Sequence, residues 1–227
     1  MNFEEGQTLL FDKPLHWTSF DLVKKVRGMI KIKKVGHAGT LDPLATGLMI
    51  LCTGKHTKGI DQIQGQEKVY EATFCLGATT ASYDAEYPPE NEKDTDFLTQ
   101  EIVETAMKAF SGEIEQMPPA FSALQINGKR AYELARKGKE VILNTRQVHI
   151  YDFHLLEYDS PQRIVAYVRC SKGTYIRSLI HDLGQALGTG GYLTGLKRTA
   201  IGEYRLEDAW TIETFAAFLQ TKNQNPD

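Results

Sequence analysis

The sequence predicts an α+β fold, on three observations. Apolar residues recur at both period two and helical spacing along the chain. These segments follow one another without the strict strand–helix–strand alternation of a parallel sheet. The 227 residues, 41% hydrophobic and 24% charged, have the composition of an ordinary globular protein with room for a sizeable core. No apolar run approaches the ~20 residues of a membrane span. Glu4 and Glu5 stand where a signal peptide would carry Lys or Arg, so a cytoplasmic location is expected.

The elements follow in order. Thr18 or Ser19 can cap a first helix, with Asp21 in its first turn and Leu22, Val23, Val26 and Ile30 at helical spacing. That helix leads into a glycine-rich loop over residues 36–47. Leu48–Cys52 is an apolar run expected to form a buried strand behind it. From Lys68 to Leu76 the period is two, with Tyr70, Ala72, Phe74 and Leu76 on one face and Glu71 and Thr73 on the other. Residues 84–96 form an acidic, Pro-containing loop. Ile102, Ala106, Met107 and Phe110 mark an amphipathic helix that stops at Gly112. Asn127-Gly128 predicts a turn, followed by a short basic helix closed by Gly138. Strands are expected around 148–156 and 164–170. Residues 174–187 read as a helix with Ile176, Leu179, Ile180, Leu183 and Leu187 inward, and Trp210–Gln220 as a last helix. No internal repeat or low-complexity segment interrupts the pattern.

The net charge of −3 argues by itself against a nucleic-acid partner, but the distribution points the other way. From Lys13 to Lys58 nine Lys or Arg face two acids, Asp21 and Asp42; from Asp84 to Glu104 eight acids face Lys93 alone. Residues 128–139 carry five bases and one acid. Such segregation can give an acidic protein a basic face for phosphates, with solvated helix faces as the alternative. Cys52, Cys75 and Cys170 are odd in number, far apart and set in apolar sequence, which is neither a disulfide framework nor a metal pattern. They are expected to be small core residues in a reducing compartment.

The most informative stretch is Gly36-His-Ala-Gly-Thr-Leu-Asp42-Pro-Leu-Ala-Thr-Gly47. Its glycines are expected to keep it out of helix and strand interiors, and Pro43 fixes the turn just after its single carboxylate. A rigid loop of this kind lets a bulky ligand approach the backbone, with His37 and Thr40 as polar contacts beside the Asp42 carboxylate. A tight turn capped by a hydrogen-bonded Asp is the alternative.

This block resembles the signature of the bacterial TruB family of tRNA pseudouridine-55 synthases. Leu9-Leu10-Phe11-Asp12-Lys13-Pro14, Lys68-Val69-Tyr70, Ser122-Ala123-Leu124, Lys172-Gly-Thr-Tyr-Ile-Arg177 and Leu196-Lys-Arg198 recur in the family's order. The match spans roughly residues 8 to 205. The resemblance implies the pseudouridine synthase fold, a mixed and largely antiparallel sheet flanked by helices with a central catalytic cleft. The activity it implies is isomerisation of uridine 55 in the tRNA T-loop (tRNA numbering). It implies no cofactor, no metal, no membrane and no protein partner, only the T-arm of tRNA. It also implies one catalytic domain over 1–227. Many members carry a further C-terminal PUA-like domain, for which no room is expected here.

Residue by residue, the resemblance makes Asp42 the catalytic carboxylate. It can attack C1′ as a nucleophile or remove the C2′ proton to give a glycal, and the sequence does not separate these routes. Tyr70 would stack on the flipped-out uracil, the alternative being a core tyrosine. Arg177, at a strand-to-helix junction where backbone N–H groups and a guanidinium can hold an anion, would orient the aspartate; a helix-surface cation is the alternative. Tyr175 would close the pocket or simply pack. Lys13 would support the loop or touch phosphate. His37 would fill the space left by the everted base, and is no metal ligand because no second donor sits at ligand spacing. Residues 121–139 match the RNA-gripping insertion, with Lys129, Arg130, Arg136 and Lys137 on the backbone, or else form a solvated basic helix. The family's acidic run after the second strand reads here Thr79-Thr80-Ala81-Ser82-Tyr83-Asp84, so only Asp84 keeps the acid. Two rival readings are a non-catalytic tRNA-binding or folding protein of the same fold, and a phosphate-loop nucleotide enzyme. The second lacks the Gly-Lys-Ser/Thr ending.

Overall fold

A computed structural model describes residues 2–126, 128–139 and 141–224. In chain order the elements are β1 (Thr8–Lys13), α1 (Ser19–Ile30), β2 (Val35–His37), β3 (Ala45–Thr53), α2 (Ile60–Gln64), β4 (Lys68–Leu76), α3 (Gln100–Lys108) and β5 (Gly112–Gln116). They continue with β6 (Gln125–Ile126), β7 (Lys129–Arg130), α4 (Ala131–Ala135), β8 (Arg146–Ser160), β9 (Arg163–Cys170), α5 (Ile176–Ala186), β10 (Gly191–Ile201), β11 (Tyr204–Arg205) and α6 (Ile212–Gln224). The mixture is α+β, as the periodicities predict, and most of its strand pairs are antiparallel. The chain forms two compact units, one of residues 1–70 with 196–227 and the other of residues 71–195.

In the first unit β3 is the spine. It pairs antiparallel with β1, from Thr8↔Cys52 to Lys13↔Gly47, and with β2, from Val35↔Thr53 to His37↔Leu51. The end of β10 joins it in parallel, Leu196↔Ala45 to Arg198↔Gly47. Both faces of β3 are covered, which is why its sequence is a continuous apolar run rather than an alternation. Met49 and Leu51 pack with Leu9, Phe11, the Leu22, Val23 and Val26 face of α1, and Phe215 of α6. Leu48, Ile50 and Cys52 pack the other way with Ala38, Ile63 and Ile201. Thr18 is the cap of α1, and its side chain and that of Asp21 satisfy each other's backbone N–H groups.

In the second unit β5, β8 and β9 form an antiparallel ribbon, Gly112↔Ile150 to Gln116↔Arg146 and then Ile150↔Cys170 to Ser160↔Arg163. α3 packs on β8 and on α5. The buried face of α3 is Val103 and Met107, whereas Ile102, expected inward, is exposed. On α5, Ile176, Leu179, Ile180 and Leu183 are buried as expected. The alternation of β4 also holds, with Tyr70, Ala72, Phe74 and Leu76 buried and Glu71 exposed. Asn127 of the expected Asn-Gly turn lies outside the described residues. The three cysteines are buried and form no disulfide among the described residues. Among the described residues no helix is long and apolar enough to cross a membrane.

Candidate active site

The signature does not lie wholly outside regular structure. Gly36 and His37 fall in β2 and Ala45–Gly47 in β3, leaving residues 38–44 as the loop. Glycine is tolerated inside β3 because of what crosses it. Gly47 has φ +97°, and a Cβ there would run into the backbone of Arg198 on β10. Only glycine lets these strands meet at that point.

Almost every residue of the loop is tied through its backbone. Ala38 N–H donates to the Ile50 carbonyl at 2.9 Å, Ala45 N–H to that of Asp42 at 3.0 Å, and His16 N–H to that of Pro43 at 2.8 Å. Leu41 is held at both of its polar groups by the buried Ser19 hydroxyl, which accepts from its N–H at 2.9 Å and donates to its carbonyl at 3.0 Å. Arg198, 1% exposed, threads its guanidinium beneath the loop. Its Nε donates to the Leu48 carbonyl at 2.7 Å, Nη2 to that of Gly39 at 3.3 Å and Nη1 to that of Thr40 at 3.5 Å. The result is a half-buried carboxylate, Asp42, on a backbone that cannot drift.

Lys13 lies fully buried. Its ammonium donates to the carbonyls of Pro14 at 3.0 Å and Trp17 at 2.7 Å. Both contacts lie in the turn that follows β1, and the side chain is closed off from solvent. Burial lowers its pKa to about 8, against the opposing pull of the Asp42 charge. His37 is half-buried, and burial, with the Arg198 charge adding to it and the Gly39 backbone opposing, holds its imidazole below the ordinary range. Tyr70 is 7% exposed.

In the second unit Arg177 is no surface cation. It is 4% exposed. Nη1 donates to the Ser82 carbonyl at 3.0 Å and Nη2 to that of Phe121 at 2.9 Å, with the Asp84 carboxylate 3.5 Å away. Asp84 also accepts from the Ser82 hydroxyl at 2.5 Å and the Glu86 N–H at 3.0 Å, so the one acid of its loop is spent inside the unit. Tyr175 is half-buried beside Arg146, whose guanidinium carbon lies 4.5 Å from the ring centroid. Lys129, Arg130, Arg136 and Lys137 are all exposed on the hairpin and helix of the 121–139 segment. Arg130 donates to the Ala123 carbonyl at 2.6 Å. Arg136 meets Glu86 at 2.6 Å, an exposed ion pair worth only ~0–1 kcal/mol.

Two residues that build the site were missed in the sequence. Ser19 reads as a helix cap, and Leu196-Lys-Arg198 carries the family resemblance without pointing to a role for Arg198. The recurrence of that short motif was the one available signal for Arg198. Among the described residues no three His, Cys, Asp or Glu side chains gather as a metal site.

Comparison with known proteins places the chain in a family. The family model "TruB family pseudouridylate synthase (N terminal domain)" matches residues 27–176, and "tRNA pseudouridylate synthase B C-terminal domain" matches residues 177–227. A tRNA pseudouridine synthase B of Phocaeicola vulgatus is 53% identical over 226 residues, covering 96% of this chain and 95% of the relative. One of Bacteroides thetaiotaomicron is 51% identical over 236 residues, covering 100% of this chain and 98% of the relative. Among solved structures, that of a Cbf5–Nop10–Gar1 complex matches with a TM-score of 0.74 at 27% identity, covering 98% of this chain and 56% of that chain. The protein belongs to the TruB family of pseudouridylate synthases.

Proposed function

We propose that this protein isomerises uridine 55 in the T-loop of tRNA to pseudouridine, with Asp42 as the catalytic carboxylate. Conversion of uridine to pseudouridine in tRNA is the activity named in its relatives. The observation that carries the residue assignment is the loop around Asp42. Ser19 and Arg198 restrain its backbone on both sides of a half-buried acid. Such restraint suits a group that must hold one position while the C1′–N1 bond breaks, the uracil turns, and C5 bonds to C1′, the C5 proton being lost as N1 takes one up. Because the base never leaves as a product, one carboxylate suffices where glycoside hydrolysis uses two.

The resemblance gives the remaining roles. Tyr70 stacks on the flipped uracil, Arg177 orients the carboxylate, Tyr175 closes the pocket, and His37 fills the gap left in the RNA. Stacking of ~1–3 kcal/mol is comparable with the few kcal/mol needed to unstack a base. Residues 1–227 act as one catalytic unit, working in the cytoplasm on the T-arm. Lys129, Arg130, Arg136 and Lys137 supply cations to the RNA backbone.

The test is Asp42→Asn, which keeps the shape and removes the charge. Pseudouridine formation in tRNA should be abolished while tRNA affinity stays within a few-fold of wild type. More than about a tenth of wild-type turnover, a barrier change under ~1.4 kcal/mol, would remove Asp42 from the chemistry. A wild-type protein that binds tRNA without modifying it would instead be a binding or folding factor.

A further inference from the structure

We propose that Arg146 is an RNA-binding residue, engaging a backbone phosphate of the substrate beside Tyr175; the inference rests on the functional reading above. Arg146 opens β8 opposite Gln116 of β5. These register partners grip the same tyrosine in two ways. The fully buried Gln116 amide accepts from the Tyr175 N–H at 2.7 Å and donates to its carbonyl at 3.0 Å. Arg146 takes the ring face, its guanidinium carbon 4.5 Å from the centroid.

Two of the three guanidinium nitrogens have no hydrogen-bond partner among the described residues. Nε and Nη2 are closed off from solvent and meet no hydrogen-bond acceptor among the described residues. A shielded cation is ordinarily paired, and stacking on a ring offsets only part of its lost hydration. Nε and Nη2 are also the two nitrogens that share one edge of the guanidinium. That edge offers the parallel donors that grip two oxygens of a phosphate. Among the described residues no hydrogen bond or ion pair restrains the long side chain, so a rotation off the ring brings this edge into use.

The surroundings favour the same ligand. Gly173, at φ +83°, turns the chain so that even an added Cβ would only touch Nη1, at 3.4 Å, and the exposed Lys172 adds a second cation. The sequence places backbone N–H groups and the Arg177 guanidinium at this strand-to-helix junction, a combination that can hold an anion. Arg177 donates to the carbonyls of Ser82 and Phe121, and Arg146 is a second arginine beside the same junction.

The experiment measures tRNA affinity of wild type, Arg146→Gln and Arg146→Lys across a potassium chloride series, with melting curves to confirm folding. R146Q should shallow the slope of log affinity against log salt by about one unit and weaken binding roughly three- to tenfold. R146K should keep the slope and lose about threefold in affinity, because an ammonium cannot fork. A folded R146Q with the wild-type slope overturns the proposal and leaves Arg146 a clamp on Tyr175. If R146Q does not fold, R146K decides: wild-type affinity there overturns it equally. Pseudouridine formation by wild type is assayed in parallel. The expected slopes with an inactive wild type would sink the functional reading and leave the Arg146 contact standing.

Discussion

Ser19 closes a two-way hydrogen bond on Leu41, accepting from its N–H at 2.9 Å and donating to its carbonyl at 3.0 Å, one residue before Asp42. Both groups are buried, so their loss is asymmetric: the serine disappears and the Leu41 peptide groups stay dry and unpaired. Ser19→Ala should therefore cost roughly 1–3 kcal/mol, more than a single average hydrogen bond. Turnover at saturating tRNA should fall further than affinity, because the loop position matters most to the reacting group. Denaturant melts and single-turnover rates check both parts. A variant with wild-type stability and rate would show that Arg198 alone holds the loop.

Gly184 sits inside α5, where helix propensity favours alanine by ~1 kcal/mol. The structure opposes that gain. A Cβ at Gly184 would overlap the backbone of Gly190 and Gly191, and the Thr189 and Gly190 N–H groups close onto the Gly184 carbonyl at 3.1 and 2.9 Å. Backbone cannot move aside as a flexible side chain can, and overpacking typically costs ~1–3 kcal/mol. Gly184→Ala should be net destabilising, lowering the denaturant midpoint. A stabilised variant would mean that the turn after α5 yields freely.

Asp182, on the same helix, has its pKa raised by burial to about 6. Its folded value lies above the unfolded 3.8, so between those values the folded state binds more protons. Stability from this group is therefore present below pH 3.8 and is lost as pH rises to about 6. Asp182→Asn removes the titration. The variant should be more stable than wild type at pH 7, by on the order of 1 kcal/mol after allowing for partial solvent access. That advantage should shrink to nothing near pH 4. Unfolding free energies of both proteins at pH 4, 5.5 and 7 decide it, and a gap independent of pH would contradict the burial of this carboxyl.

Where burial is one-sided, the pattern was legible. The alternation of β4, the inward face of α5 and the Thr18 capping box all follow from local spacing, and local spacing fixes which face is apolar. β5 and β10 were not legible. Gly-Glu-Ile-Glu-Gln puts acids on its open face, and β10 begins at a glycine and carries Lys197 and Arg198, so neither resembles a strand by composition. Their partners, β8 and β3, lie far off in sequence and supply the reason for their conformation. The site divides in the same way. Asp42 stands out because glycine and proline mark its loop. Ser19, Arg198 and Arg146 do not, since nothing local says that a serine beside a cap or an arginine in a polar stretch is turned inward.

Arg177 gives the sharpest test of geometry against charge. Its guanidinium spans the carbonyls of Ser82 and Phe121 and faces Asp84 at 3.5 Å, three acceptors fixed by three different stretches of the second unit. A planar fork reaches them together; an ammonium of the same charge reaches one or two and leaves the others buried and unpaired. Arg177→Lys keeps every long-range electrostatic effect, so any loss must come from shape. Single-turnover pseudouridine formation at saturating tRNA should fall by more than tenfold, while tRNA affinity stays within about threefold, since the residue is too deeply buried to add to the phosphate contacts that dominate binding. Stability should fall as well, by roughly 1–3 kcal/mol for the carbonyls left without a donor. Rates are therefore compared well below the melting transition, on protein shown to be folded. A folded lysine variant with the wild-type rate would reduce Arg177 to a structural tie between Ser82, Asp84 and Phe121 and remove it from the proposed catalytic set.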